Sequence, residues 1–319
     1  MARVRSFLLV VACALTAVAA AQGPIVIAHR GASGFLPEHT LEAYAMAYAL
    51  GADFIETDLV LTADGVFVAL HDVTLQLTTD VERRFPDRVR GDGAWYAIDF
   101  TLAEIKQLDV HERARPGGAA AMPGRFPLGL SRFEVPTLAE VLELVQGLNA
   151  STGRDVGVYP EIKRPAWHAE QGQPMEAALL EALAAYGYVG PEARVFVQSF
   201  EAASLQTLRF ALGSELPLVM LIAQPGQATP GALDEWATFA DGIGPAKALV
   251  AAFPGLVRGA HERGLLVHPW TFRADAVPSA YPSIDHELRR FYEEYGVDGV
   301  FTDFVEDAVR VLRELDMRP

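Results

Sequence analysis

Residues 25–61, "IVIAHRGASGFLPEHTLEAYAMAYALGADFIETDLVL", hold two short apolar runs with one helix-length segment between them. "IVIA" (25–28) and "DFIETDLVL" (53–61) show no clean polar alternation, so each reads as a strand buried on both faces. In "PEHTLEAYAMAYALG" Thr40 is placed to cap a helix that stops at Gly51. The unit is strand, helix, strand, and its first strand ends abruptly on His29, Arg30 and Gly31.

The same rhythm continues downstream. "VFVAL", "DVGVYPEI", "RVFVQS", "LPLVMLI", "FADGIG", "LLVHPW" and "DGVFTDF" read as further strands. "TLAEVLELVQGL", "PMEAALLEALAAYGY", "SLQTLRFALG" and "LVRGAHERG" are amphipathic stretches between them, several closed by glycine. Repeated β/α units with this many strands predict an α/β fold closed into a barrel. Nine candidate strands compete for the eight positions of such a barrel, so one pair must depart from the repeat. Only "TADG" separates "DFIETDLVL" from "VFVALHD", too little for a helix, and the Asp-Gly turn predicts an antiparallel hairpin. Folding it about Asp64 and Gly65 returns His71 to the side of Glu56 and Asp58. Residues 73–134, rich in charge, Pro and Gly, read as an insertion after this hairpin, with only "TLAEIKQLDV" helical. Such an insertion either shapes substrate access over the barrel mouth or is a surface excursion.

Of the 319 residues 51% are hydrophobic, enough to bury a large core. The start, "MARVRSFLLVVACALTAVAAAQG", sets Arg3 and Arg5 before an apolar run from Phe7 to about Val18, then small residues suited to cleavage near Ala21. The run is shorter than the ~20 residues of a spanning helix. Residues 1–21 are therefore expected to be a signal peptide and 22–319 a periplasmic or secreted domain without stable membrane insertion. A lipid-modified Cys13, after "VVA", is the minor alternative. Cleavage near Ala21 removes the only cysteine, and with it any disulfide. It also takes the formal charge from -15 to -17, because two arginines and no acids are lost. So acidic a chain argues against nucleic acid as a partner, and an anionic substrate must be met by local positive charge.

In a barrel the reactive groups gather at the C-terminal ends of the strands. The ionisable residues sit there: His29 and Arg30, Glu56 and Asp58, Glu161 and Lys163, His268, and Asp303, with Gln198 and Trp270 among them. Glu56 and Asp58 are two apart and share a face of their strand; Glu161 joins from another. Three packed carboxylates repel one another unless a cation lies between them, and an all-oxygen set selects a hard divalent ion, Ca²⁺ or Mg²⁺. His29 and His71 border the acids from separate strands and suit general acid–base work. Arg30 offers a fork and Lys163 a point charge for a phosphate. Glu38 and His39 read as supports of the first loop.

"HRG", "PEHT", "ETD", "LHD", "PEIK", "QSF" and "FTDF", in this order, resemble the glycerophosphodiester phosphodiesterases, most of all the bacterial periplasmic members. The likeness spans residues 24–312 and includes "ERRFPDR" and "LNASTG". It implies a distorted TIM (β/α)8 barrel that hydrolyses glycerophosphocholine, glycerophosphoethanolamine and similar small molecules to sn-glycerol 3-phosphate and an alcohol. By that resemblance Glu56, Asp58 and Glu161 hold one divalent cation, Ca²⁺ ahead of Mg²⁺. His29 and His71 form the acid–base pair, Arg30 and Lys163 meet the phosphate, Glu38 supports the first loop beside the substrate, and Trp270 packs on glycerol or head group. His39 stands where many relatives carry Asn, and Val305 where Pro is common. Which histidine is the base, and whether water or the glycerol 2-hydroxyl attacks, stay open at this level.

Overall fold

The computed structural model describes residues 23–318. The expected signal peptide and Cys13 lie outside the described residues. Nine strands form one sheet: β1 (Ile25–Ala28), β2 (Phe54–Leu61), β3 (Phe67–Ala69), β4 (Gly157–Ile162), β5 (Val197–Ser199), β6 (Leu218–Ile222), β7 (Gly242–Pro245), β8 (Leu266–Val267) and β9 (Gly299–Thr302). Their order is β8-β7-β6-β5-β4-β2-β1-β9, all parallel, with β3 off the path. Backbone bonds from Asp298 N to Val267 O (3.0 Å), Phe301 N to Pro269 O (3.0 Å) and Phe272 N to Phe301 O (2.8 Å) join the two ends. The result is the distorted TIM (β/α)8 barrel, and the irregularity falls at the hairpin.

β3 runs antiparallel to β2, pairing Leu59 with Ala69 and Val60 with Val68. The turn between them uses Gly65 at φ +74°, a left-handed conformation that glycine adopts without penalty. Thr40 caps the first helix, its Oγ1 accepting from Ala43 N at 3.2 Å, and the helix ends at Gly51 with φ +104°.

Alternation along the strands decides what faces the barrel interior. Val26, Ala28, Ile55, Val158 and Ile162 point outward into the main core under the helices. Residues of the opposite parity, Ile27, Phe54, Tyr159, Val219 and Phe301, fill the interior floor. Carrying that parity one or two steps toward the C-terminal ends gives His29, Glu56, Asp58, Glu161, Lys163 and Gln198. The interior therefore changes from apolar floor to charged mouth along each strand.

The insertion has a core of its own. Leu75, Val81, Phe100, Ile105, Leu108, Val110, Phe133 and Val135 pack with Val60, Val68 and Leu70 of the hairpin. "TLAEIKQLDV" supplies a helix of one turn, Leu102–Ile105, held by a Thr101–Glu104 capping box. The expectation of a single helical stretch is corrected by three further turns at Val81–Arg84, Pro86–Arg88 and Ala97–Asp99. Pieces of three or four residues are too short to leave a 3.6-residue pattern. Among the described residues no helix is long and apolar enough to cross a membrane.

Candidate active site

Register brings the first-named residues together. Ala28 pairs with Ile55, so His29 lies level with Glu56, and Asp58 pairs with Glu161 on β4. Glu56, Asp58 and Glu161 are all buried, with one oxygen of each within 4.8 Å of the others. His29, Arg30, Glu56, His71, Glu161, Lys163, Gln198 and Trp270 line one cleft at the mouth, with Phe200 and Leu221 on its apolar side. Trp270 donates its indole N–H to Gly244 O at 2.8 Å and meets Phe200 edge-on.

The acids differ in environment. Burial and the neighbouring Asp58 push Glu56 well above the ordinary carboxyl range, even though Arg30 N donates to its Oε2 at 2.6 Å. Burial likewise raises Glu161 to about 8, with Lys163 Nζ at 2.8 Å opposing the shift. Burial works against ionisation of Asp58 too, but Lys163, 3.6 Å away, and His39, which donates Nε2–H at 2.8 Å, hold it well below its usual value. Three buried carboxylates thus face the side chains of two cations, Arg30 and Lys163. The set fits a hard divalent ion: its donors are all oxygens, and a cation between them would offset the cost that burial and mutual repulsion place on ionising Glu56 and Glu161. The amide oxygen of Gln198 beside them is buried and without a partner.

Each histidine is anchored through Nδ1. His29 Nδ1 lies 2.7 Å from Asp303 Oδ1, and His71 Nδ1 lies 2.9 Å from Asp72 Oδ1. An ionised carboxylate only accepts, so Nδ1 carries the proton in each ring and Nε2 is left for the cleft. Burial, then Arg30, depresses His29 to about 4 against the pull of Asp303. The same two causes lower His71. Both rings are therefore neutral near pH 7.

Glu38 and His39 do more than the sequence indicates. Glu38 receives both oxygens' bonds from Arg30 Nη1 (3.1 Å each) and from Arg113 Nε (3.0 Å) and Nη2 (2.5 Å). Its carboxylate is shared between two guanidinium groups, so it fixes Arg30 in place. His39, at φ +60°, holds Asp58, and Arg30 itself sits at φ +59°; two non-glycine residues in the left-handed region both lie at this site. Substituting Glu38→Gln leaves two guanidinium groups short of a buried anion and is expected to cost about 3–5 kcal/mol, read as a lower urea midpoint at unchanged slope. A higher KM with undiminished stability would instead make Glu38 a substrate contact.

His268 departs from the expectation that it joins the mouth. Its parity is interior, but its depth is one layer down, where Nδ1 meets Tyr159 OH at 3.0 Å and its ring stands edge-on to Phe196. Sequence reasoning does not find the groups behind the histidines: Asp72 and Asp303, which bond the rings, and Arg113 and Arg125, which bond those aspartates. The one available signal was the adjacency of Asp72 to His71 in "LHD".

The model of the glycerophosphoryl diester phosphodiesterase family matches residues 29–307. A glycerophosphodiester phosphodiesterase of Haemophilus influenzae is 37% identical, over 91% of this chain and 90% of its own length. One from Treponema pallidum is 30% identical, over 90% and 91% respectively. A solved structure from Silicibacter pomeroyi, bearing the same family name, is 28% identical, covers 93% of this chain and 96% of its own, and superposes with a TM-score of 0.73.

Proposed function

Because the chain belongs to the glycerophosphoryl diester phosphodiesterase family, we propose that its barrel mouth hydrolyses glycerophosphodiesters such as glycerophosphocholine and glycerophosphoethanolamine to sn-glycerol 3-phosphate and an alcohol. The observation that carries this reading is one cleft in which two Asp-anchored histidines border three carboxylates and two cations. Glu56, Asp58 and Glu161 would hold one divalent cation, Ca²⁺ as first choice and Mg²⁺ as the alternative. Such an ion would favour ionisation of all three carboxylates and, together with Arg30 and Lys163, would leave the mouth net positive for a phosphodiester monoanion.

Arg30 and Lys163 bind and orient the phosphate, Arg30 through the guanidinium face left free by Glu38. One neutral imidazole takes the proton of the attacking hydroxyl at Nε2 as that oxygen bonds to phosphorus. The other, in the form that has first gained a proton from solvent at Nε2, gives it to the alkoxide as the P–O bond breaks, and the first ring then returns its proton to solvent. Asp72 and Asp303 keep both rings in the tautomer this exchange needs. Trp270 and Phe200 offer an apolar wall for the carbon skeleton of glycerol or head group.

The arginine-led apolar start of the sequence supports our proposal that the enzyme is exported to the periplasm or outside the cell. In the testing experiment the purified protein is offered glycerophosphocholine and lysophosphatidylcholine side by side with Ca²⁺. The expected result is glycerol 3-phosphate from the deacylated substrate alone; cleavage confined to the lysolipid would place the chain with lipid-cleaving enzymes of the same barrel.

A further inference from the structure

We infer that a single loop of the insertion, residues 113–125, sets both histidines, and that Arg113 and Arg125 at its two ends are positioning residues of the reaction. The inference rests on the reading of His29 and His71 as the acid–base pair.

Each aspartate that anchors a histidine divides its two oxygens in the same way. Asp72 gives Oδ1 to His71, and its Oδ2 accepts from Arg113 Nη1 at 2.6 Å. Asp303 gives Oδ1 to His29, and its Oδ2 accepts from Arg125 Nη2 at 2.6 Å. Between the two arginines the chain forms a tight hairpin, with Arg115 N bonded to Ala119 O (2.7 Å) and Ala121 N to Arg113 O (2.8 Å). One short segment therefore spans from the partner of His71, after β3, to the partner of His29, after β9.

These are not ordinary surface ion pairs, whose contribution is small. The side chains of Arg125 and Asp303 are 4% and 1% exposed. Arg125 spends three of its four remaining donors on Asp275, at 2.8 and 3.2 Å, and on Ser33 O at 3.0 Å. Its bond to Asp303 is the route by which Arg125 bears on His29, and its covered side chain also borders a cavity shared with His29 and Arg30. A carboxylate that orients an imidazole must itself be held, because a tilt at the carboxylate becomes a displacement at Nε2. Asp303 has a second cation, Arg273, with Nε at 3.0 Å, so loss of Arg125 removes a geometric restraint while leaving the carboxylate with a counter-charge. Arg113 has a double part, since it also grips Glu38 and through it Arg30. Arg125 is accordingly the cleaner test.

Steady-state kinetics of the purified protein, with Ca²⁺ and glycerophosphocholine, compare wild type, Arg125→Gln, Arg125→Lys and His29→Ala. Arg125→Gln is expected to lower kcat by about tenfold to a hundredfold with KM within about twofold. Arg125→Lys, which keeps the charge but not the planar fork, should fall between. The downfield proton NMR signal of the His29–Asp303 bond should weaken or broaden in the glutamine variant. A folded Arg125→Gln protein with wild-type kcat, or one that changes KM alone, overturns the inference. If the glutamine variant fails to fold, the lysine variant decides, and an unchanged kcat there overturns it equally. His29→Ala separates the two layers: retained turnover in that variant defeats the acid–base reading itself, whereas its loss beside an unaffected Arg125→Gln defeats only the role of the loop.

Discussion

Substituting His71→Ala is expected to lower kcat for a glycerophosphodiester by about 10²–10⁴-fold, the usual contribution of a positioned general acid or base. The ring is neutral near pH 7, gives its Nδ1 proton to Asp72 and lines the mouth cleft. Its side chain is 32% exposed, so its removal leaves no large cavity and the protein should stay folded. It makes no bond to Glu56, Asp58 or Glu161, so calorimetric Ca²⁺ affinity should be close to wild type. His29→Ala should show the same pattern. The double variant should lose little more than either single one, because a proton taken on one side of the phosphorus is useful only if one is delivered on the other. Near-normal turnover with His71→Ala would remove that residue from the mechanism.

The second large effect concerns Glu161 and has opposite signs for stability and for activity. Its carboxyl is raised in the fold from 4.5 to about 8 by burial and by Asp58. A group raised in this way contributes stability that is complete below its unfolded value and is lost as pH rises through its folded one. With chelator present, wild type should therefore weaken between those two values, and Glu161→Gln, which cannot ionise, should not. At about pH 9 the variant is expected to be the more stable by a few kcal/mol, up to about 5 for a shift of this size. Adding Ca²⁺ should reverse the order, since binding to the folded state stabilises wild type in proportion to its affinity. Activity should follow the cation and collapse in the variant. Thermal unfolding with chelator and with Ca²⁺ reads both signs; equal Ca²⁺ stabilisation of the two proteins would take Glu161 out of the ligand set.

The barrel was legible because buried strands and capped helices write local patterns. Thr40 and Gly51 mark both ends of one helix, and Asp64-Gly65 marks the hairpin that brings His71 home. The acids were legible because residues two apart on a strand share a face, as Glu56 and Asp58 do. Depth along the barrel was not: interior parity is common to His268 and His29, but register across neighbouring strands decides which reaches the mouth. Pairings across the chain were also hidden. Asp303 meets His29 over 274 residues, and Arg125 meets Asp303 over 178, from a loop with no periodicity to place it. Asp72 stands beside His71 in sequence, yet adjacent residues of a strand diverge; the chain bends after Ala69, and only that bend lets the carboxylate reach Nδ1. The support that Glu38 gives the first loop was legible, but its second partner was not, because Arg113 comes from 75 residues away.

The most direct measurement is glycerol 3-phosphate release from glycerophosphocholine by the purified protein, first with excess chelator and then with Ca²⁺ or Mg²⁺ restored. Release that stops with chelator and returns with the cation is the expected result, joining the reaction and the carboxylate cluster in one assay. Full release in chelator, or none with either cation from folded protein, would contradict it.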